Sequence, residues 1–207
     1  MVFKTEGLDA GTLYQLLVGG VLPRPIAWVS TCDAQGVDNL APYSFFTVAS
    51  CQPPVLSITH VTPGDGRTKD TLANIQQTGE CVVNIVSADH AENMNASCAD
   101  YSADISEFEA VGVESVESLL VTAKGVKSSK VRYECRLREV IEVSDQPVGG
   151  TLILLDVVAV QVADSVYENN RIDSAALDAI GKMGGNDYCS TESLFSLERP
   201  VLKGDKS

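Results

Sequence analysis

The sequence has little positive charge, and this shortage excludes whole classes of partner. Of its 207 residues, 15 are Lys or Arg and 28 are Asp or Glu, which gives a formal net charge of −13. A surface this acidic repels phosphate backbones and anionic lipid, so we expect neither nucleic acid nor a membrane as a partner. The balance still allows a small anionic ligand that a few local cations hold.

Histidine and cysteine are too sparse and too scattered for a metal centre or a redox dithiol. The histidines are His60 and His90, and no two cysteines have the C-x-x-C spacing. A structural zinc site or a thioredoxin-type pair therefore has no support. The cysteines, which we expect to be free thiols, are Cys32, Cys51, Cys81, Cys98, Cys135 and Cys189.

Long apolar segments and the standard catalytic motifs are also missing. No run of about 18 apolar residues is present, and residues 1–11 lack the apolar segment of a signal peptide, so a cytoplasmic location is expected. Neither G-x-G-x-x-G, nor the phosphate loop, nor G-x-S-x-G occurs. The length and the 44% apolar content favour a single globular domain over residues 1–207, with a polar tail at 201–207.

What the sequence does contain is the pattern of a mainly β protein. The predicted strands are residues 24–31, 39–49, 55–61, 81–86, 131–143 and 151–162. A turn at 33–38, in which Gly36 supplies a permissive backbone, joins the first two as a hairpin. Pro42 makes the second strand an edge strand or a bulge. Many strands with few short helices indicate an antiparallel β-barrel whose ends the helices plug or cover.

The segment 131–143 alternates most regularly between apolar and polar residues. Its odd-numbered apolar positions, as far as Ile141 and Val143, are predicted to share the buried face, which makes Cys135 a packing residue. Glu134 falls on the opposite face, which is predicted to be exposed.

Three short helices complete the prediction, at residues 69–77, 88–98 and 173–180. Thr68 is the predicted N-cap of the first, and Gly79 ends it. Residues 62–68 and 181–187 are rich in glycine or proline and are predicted to be loops.

One cluster of cations and hydroxyls interrupts the acidic chain. Arg67 and Lys69 supply positive charge, and Thr68 and Thr71 supply hydroxyl groups, around the predicted start of a helix. A helix N-terminus offers free backbone N–H groups and the positive end of the helix dipole, so the cluster suits a phosphate group. The alternative is a helix cap on a solvated loop. Asp70 fits a first-turn stabiliser better than a phosphate ligand.

The order of several segments carries a family resemblance. These segments are R-P-I-A-W-V-S-T at 24–31, N-L-A-P-Y-S-F-F at 39–46, K-D-T-L-A-N at 69–74, M-G-G with a following tyrosine at 183–188, and L-E-R-P at 197–200. Together they resemble the flavin reductase-like, FMN-binding split-barrel proteins, which include the flavoredoxins. The resemblance covers about residues 20–200 and implies a split β-barrel, a homodimer, and one FMN per subunit near the dimer interface.

FMN needs charge and hydrogen bonds for its phosphate, an apolar slot for its ring, and donors at the polar edge of that ring. Residue types and the resemblance together predict these FMN contacts: Trp28, Ser30, Thr31, Asn39, Ala41, Pro42, Tyr43, Ser44, Arg67, Thr68, Lys69, Thr71, Gly184, Gly185 and Tyr188. Two alternatives stay open: Trp28 is equally consistent with a core aromatic residue, and the adjacent glycines are equally consistent with a simple turn.

The resemblance implies an FMN-dependent oxidoreductase in which the bound flavin moves electrons or hydride, so no protein acid or base is required. Family members that reduce free flavin with NADH often carry a histidine-containing motif near the C-terminus. No histidine follows His90 here. This favours flavoredoxin-like exchange with a redox partner protein or a small molecule over NAD(P)H-dependent reduction of free flavin. A non-enzymatic binding module that has kept the barrel and lost the flavin is the third alternative.

Overall fold

The structure is a computed structural model and describes residues 1–63 and 69–200. Its helices are α1 (Ala10–Gly20), α2 (Asp70–Thr78), α3 (Ala91–Ala96), α4 (Glu107–Ala110) and α5 (Ser174–Leu177). Its strands are β1 (Arg24–Pro25), β2 (Ala27–Cys32), β3 (Asp38–Tyr43), β4 (Phe46–Cys51), β5 (Pro54–Val61), β6 (Glu80–Ile85), β7 (Ser115–Val116), β8 (Gly125–Val126), β9 (Val131–Glu142), β10 (Gly150–Val162), β11 (Tyr167–Glu168), β12 (Arg171–Ile172), β13 (Gly181–Lys182) and β14 (Tyr188–Cys189).

The main sheet has seven strands in the order β3-β2-β6-β9-β10-β5-β4, and every neighbouring pair is antiparallel. Strands lie about 4.8 Å apart, so a flat sheet would place its outer strands about 29 Å apart. The outer strands β3 and β4 are nevertheless consecutive in the chain, and the link from Tyr43 to Phe46 spans at most about 11 Å. The sheet must therefore curl until its edges meet. The Thr59 amide donates to the Phe45 carbonyl at 2.8 Å, which extends the β4–β5 ladder into this link.

The predicted mainly β, antiparallel fold is confirmed, and so is the hairpin at 33–38. Asp33 Oδ1 accepts the amides of Gln35 (2.9 Å) and Val37 (2.8 Å), and Gly36 has a φ of +91°. The single strand predicted at 39–49 is wrong. The chain leaves the sheet edge after Tyr43 and starts β4 on the opposite edge, because curling brings the two edges together. Pro42 does lie in an edge strand, as predicted.

The two largest apolar clusters of the described residues lie on the two faces of the curled sheet. The inner core includes Ala27, Val29, Leu56, Ile58 and Ile153, and α2 plugs it with Leu72 and Ile75. The outer core covers β2 and β3 with α3 and α4, and includes Trp28, Leu40, Met94 and Phe108. Because both faces of β2 are covered, its sequence is apolar at successive positions rather than alternating.

The predicted phase of β9 holds only for its first half. Val131 and Cys135 are buried as predicted, but Leu137 and Glu139 pair with successive residues of β10, which leaves Arg138 as a bulge. An extra residue reverses the alternation beyond it. Ile141 is consequently 38% exposed and Val143 70% exposed, against the prediction.

Glu134 is also placed differently from the prediction, since it is 0% exposed. The segment around Leu119 and Leu120 covers the outer face of β9, and both backbone amides donate to the Glu134 carboxylate, at 2.9 and 2.6 Å. The side-chain amide of Gln161 donates to it as well. A face that reads as solvent-exposed from strand periodicity is covered by a distant loop.

Helix α2 forms where predicted and ends at Gly79, which has a φ of +73°. Its N-cap is Lys69, so the prediction of Thr68 is wrong; the predicted loop at 62–68 and the tail at 201–207 fall largely or wholly outside the described residues. Helix α1 was not predicted. Its N-cap Asp9 accepts the Thr12 amide at 2.9 Å. Among the described residues, no helix is long and apolar enough to cross a membrane.

Candidate functional site

A pocket of about 340 Å³ opens at the outer end of edge strand β3. Five of the predicted contacts line it: Asn39, Ala41, Pro42, Lys69 and Thr71. Its remaining lining comprises Pro63, Asp70, residues 97–103 and Glu107. The volume lies within the range of about 300–1,000 Å³ that is usual for small-molecule sites.

The floor of the pocket is a buried hydrogen-bond network centred on Asn39. Its Oδ1 accepts the hydroxyls of Thr71 (2.8 Å) and Thr31 (3.3 Å), and its Nδ2 donates to Glu107 Oε1 at 2.9 Å. Asn74 Nδ2 donates to the Thr31 hydroxyl at 3.1 Å. The network joins β2, β3, α2 and α4, so it fixes the edge strand against the helix that plugs the sheet.

Glu107 is a pocket carboxylate that the sequence analysis did not identify. It is 7% exposed, and its Oε2 accepts the Leu40 amide at 2.9 Å. That amide lies in the edge strand of the sheet. Burial raises the pKa of Glu107, and the negative charge of Asp70 adds to the rise; the bonds from Leu40 and Asn39 only partly oppose it.

The N-terminus of α2 forms one side of the pocket. Lys69 is the N-cap, and its own side chain forms no capping hydrogen bond. Asp70 and Thr71 begin the helix and line the pocket, so backbone N–H groups of the first turn and the positive end of the helix dipole lie beside it. Thr71 is 1% exposed and bonded to Asn39, so its hydroxyl belongs to the floor. Arg67 and Thr68 lie outside the described residues.

Three predicted contacts have side chains that the structure places away from the pocket. Trp28 is 0% exposed in the outer core, and its indole N–H donates to the Ser97 hydroxyl at 2.9 Å. This position fits the alternative of a core aromatic residue. The Ser30 hydroxyl donates to the Lys124 carbonyl at 2.5 Å. Tyr43 points into the inner core, where burial raises its pKa to about 12.

The last predicted contacts gather around a small second sheet of β1, β13 and β14. Gly184 and Gly185 lie in the turn between β13 and β14, where Gly185 has a φ of +58°. Tyr188 donates its hydroxyl to Asn95 Oδ1 at 3.2 Å, and Lys182 Nζ lies 4.0 Å from the centre of its ring. Burial raises the pKa of Tyr188. Asn95 is two residues before Ser97, which lines the pocket, so Tyr188 lies near the pocket wall.

Arg24 connects this second sheet to the edge strand. Its Nη2 donates to the Met183 carbonyl at 3.0 Å and its Nε to the Ser44 hydroxyl at 3.3 Å. Ser44 stands at the junction of β3 and β4, where it lines a neighbouring groove rather than the pocket. In the sequence, Arg24 stands out only as part of the motif at 24–31. Its contacts depend on residues 20 and 159 positions away.

A curled antiparallel sheet, with a pocket at its edge strand and a helix N-terminus beside it, is the architecture of a split-barrel protein with a site of small-molecule size. The chain belongs to the flavin reductase-like family, because residues 19–179 match the family model described as the flavin reductase like domain. The predicted family is thus confirmed.

Solved structures agree with this assignment. Nitrilotriacetate monooxygenase component B from Bacillus cereus is 32% identical, with a TM-score of 0.90 over 95% of this chain and 98% of that chain. The 2-nitrobenzoate 2-nitroreductase of Pseudomonas fluorescens is 29% identical, with a TM-score of 0.88 and complete coverage of both chains.

A protein of Shewanella frigidimarina described as a flavin reductase with a split barrel domain is 26% identical. It has a TM-score of 0.82 over 97% of this chain and 100% of that chain. The predicted split-barrel fold is confirmed. The family and these neighbours support a flavin-related redox enzyme.

Proposed function

We propose that the protein is an oxidoreductase that binds FMN and moves electrons or hydride through it, in the manner of the flavoredoxins. The observation that carries the proposal is the convergence of Asn39, Ala41, Pro42, Lys69 and Thr71, from separate elements, on one pocket. The sequence and its family resemblance predict the same five residues as flavin contacts.

The residues present fit the phosphate of FMN. Lys69 supplies a cation, and the first turn of α2 supplies backbone donors. Arg67 and Thr68 precede this turn in the sequence and are proposed to complete the phosphate site. The carboxylates of Asp70, Asp100 and Glu107 line the same pocket and would repel the phosphate, so we place it on the Lys69 side.

The acidic side of the pocket fits the sugar-alcohol chain of FMN. Each carboxylate oxygen of Glu107 accepts one protein hydrogen bond and has capacity for another. Hydroxyl groups of the ribityl chain are donors of the required kind. Glu107 is therefore proposed to bind this chain, together with the polar backbone of Asn39.

The ring of FMN is proposed to follow the outer side of β3 towards Ser44 and the turn that holds Gly184 and Gly185. Ala41 and Pro42 offer an apolar surface, and the glycines allow the close approach of a ligand to the backbone. Bound FMN would supply hydride and electron transfer at its N5 atom. The protein would bind and orient the ring and exclude water from it.

An absorption spectrum of the purified protein tests this proposal. Bands in the blue and near-ultraviolet are expected, with FMN identified by mass after heat release. If the protein is colourless, titration of the apoprotein with FMN should quench flavin fluorescence at a stoichiometry of one per chain. A colourless protein that also fails to bind added FMN would contradict the proposal and favour a binding module without flavin.

NAD(P)H-dependent reduction of free flavin is the second candidate, favoured by the family description itself. Under this alternative, FMN is a substrate rather than a resident cofactor. NADH and NADPH oxidation should then be steady and should depend on added FMN. Absence of turnover with either nucleotide would exclude it, and would leave a redox partner protein or small molecule as the electron donor.

A homodimer is proposed from an apolar face beside the site. A groove of about 480 Å³ lies between the end of α1 and residues 44–47. Leu17 and Val21, which line the groove, and Val48 next to it are 64%, 61% and 60% exposed. Light scattering should give twice the chain mass, and the double change Leu17→Glu with Val21→Glu should give the monomer mass. Leu119→Glu, at a residue 77% exposed elsewhere, is the matched control. A monomeric wild-type protein would contradict the proposal.

A further inference from the structure

Arg24 is a buried cation whose described partners are all neutral, and it is 6% exposed. Its guanidinium donates to four acceptors: the carbonyls of Val18 (2.6 Å), Val21 (3.2 Å) and Met183 (3.0 Å) and the hydroxyl of Ser44 (3.3 Å). In the described part of the chain, no carboxylate forms an ion pair with it. A charge buried in this way is unfavourable unless its hydrogen bonds and the local field stabilise it.

The end of α1 supplies part of that stabilisation. Val18 lies in the last turn of the helix, and Val21 is its C-cap. Unpaired carbonyls and the negative end of the helix dipole favour a cation at this position. This contact explains how the charge is tolerated. It does not explain why the Nε and Nη2 groups bond to Ser44 and Met183.

These two hydrogen bonds connect the segments proposed to hold the flavin ring. Ser44 stands at the junction of β3 and β4, and Met183 begins the turn that carries Gly184 and Gly185. The turn is closed by the Met183 amide, which donates to the Asp187 carbonyl at 3.0 Å. Among the described residues, no other direct hydrogen bond joins the junction at Ser44 to the 183–187 turn. The short β1–β13 ladder ends at Lys182, one residue before the turn.

We propose that Arg24 is a positioning residue for the flavin, which fixes the Ser44 hydroxyl and the 183–187 turn at one separation. The inference rests on the proposed function. A planar guanidinium carries five N–H donors on three nitrogen atoms, so it reaches acceptors on separate sides at once, whereas the three donors of a lysine ammonium share a single nitrogen. The identity of the residue, and not only its charge, therefore sets the geometry of the ring site.

The test compares Arg24→Lys and Arg24→Met with the wild-type apoprotein in FMN titrations followed by flavin fluorescence. Both variants should bind FMN at least tenfold more weakly, and the visible band of the bound flavin should shift. Ser44→Ala should not weaken binding further in the Arg24→Met background, because the two residues act as one unit. Should the Met variant fail to fold, the Lys variant, which retains the cation beside α1, decides the question.

Asp9→Ala is the matched control for a purely structural role. It removes the hydrogen bonds to the Thr12 amide (2.9 Å) and hydroxyl (2.7 Å) at the other end of α1. It should lower the melting temperature and leave the FMN affinity within twofold of wild type. Equal affinity in wild type and the Arg24 variants would overturn the inference, and so would a loss in Asp9→Ala as large as in Arg24→Lys. A wild-type protein that does not bind FMN would instead refute the proposed function.

Discussion

Glu107 and Glu134 are both buried, yet their surroundings act on them in opposite directions. Glu134 is 0% exposed, and although burial favours its neutral form, hydrogen bonds from the amides of Leu119 and Leu120 and from Gln161 lower its pKa overall. Glu107 is 7% exposed, and burial together with the nearby charge of Asp70 raises its pKa.

The difference separates a carboxylate that completes the fold from one that belongs to a binding site. The donors around Glu134 come from a covering loop and a neighbouring strand, and they satisfy its ionised form. Glu107 has two protein donors and an open pocket beside it, so part of its hydrogen-bonding capacity is left for a ligand. A buried carboxylate with a raised pKa beside a pocket is typical of functional sites.

Glu134→Gln should have the largest effect on stability. The amide that replaces one oxygen would face a backbone N–H donor, leaving it unsatisfied, and bonds to the charged acceptor would be lost. A loss of about 3 kcal/mol in the free energy of unfolding is expected, measured by urea denaturation. Glu139→Gln, at an exposed position on the same strand, should change stability by less than about 0.5 kcal/mol. A similar loss in both variants would refute the distinction.

Lys69→Ala tests the ligand-facing side of the comparison. One charge-assisted hydrogen bond to phosphate contributes about 1.5–3 kcal/mol, so FMN affinity should fall about tenfold or more. Combination with Arg67→Ala should weaken binding further, while stability changes little. Lys127→Ala removes a lysine whose side chain is 61% exposed and serves as the control. Unchanged affinity in the double variant would remove both residues from the site.

The contributions of Glu134 and Glu107 to stability should depend on pH in opposite directions. This is the smallest of the expected effects and the most direct test of the comparison. Because folding lowers the pKa of Glu134, its ionised carboxylate stabilises the fold at pH values above the unfolded pKa near 4.5. This contribution is lost as the pH falls through the folded pKa. The raised pKa of Glu107 acts inversely: its contribution is fully present below the unfolded pKa and is lost as pH rises through the folded pKa.

From about pH 7 to about pH 4, wild type should therefore gain stability relative to Glu107→Gln and lose it relative to Glu134→Gln. Urea denaturation of the three proteins at several pH values measures both differences. If the two differences slope in the same direction, the two carboxylates are not distinguished by their surroundings.

Prediction from the sequence succeeded where the determinant is local. Gly36 and Asp33 form the hairpin turn through contacts within four residues, and Gly79 ends α2 in the left-handed conformation it can adopt. The β-branched content and the apolar patterning of the sequence predict the strands. Site residues such as Asn39 and Lys69 came from motif order and residue type, and the structure brings them to one pocket.

Prediction from the sequence failed where segments distant in the chain determine the exposure or the contacts of a residue. The bulge at Arg138 and the loop over Glu134 changed which residues of β9 are exposed. Glu107 gave no signal, because its partners Asn39 and Leu40 lie 68 and 67 positions away. Trp28 was open between ligand contact and core residue, and its burial follows from the helices that cover the outer face of the sheet.

The sequence by itself determined the turns, the strand propensities, the start of an anion-suited helix and the family, since each depends on neighbouring residues or on motif order. Only the tertiary structure decided that β3 and β4 lie on opposite edges, that those edges meet, and that Arg24 and Glu107 stand where they do. The physical reason is that strand order and curling bring together residues far apart in the chain, and local conformational preference carries no information about such contacts.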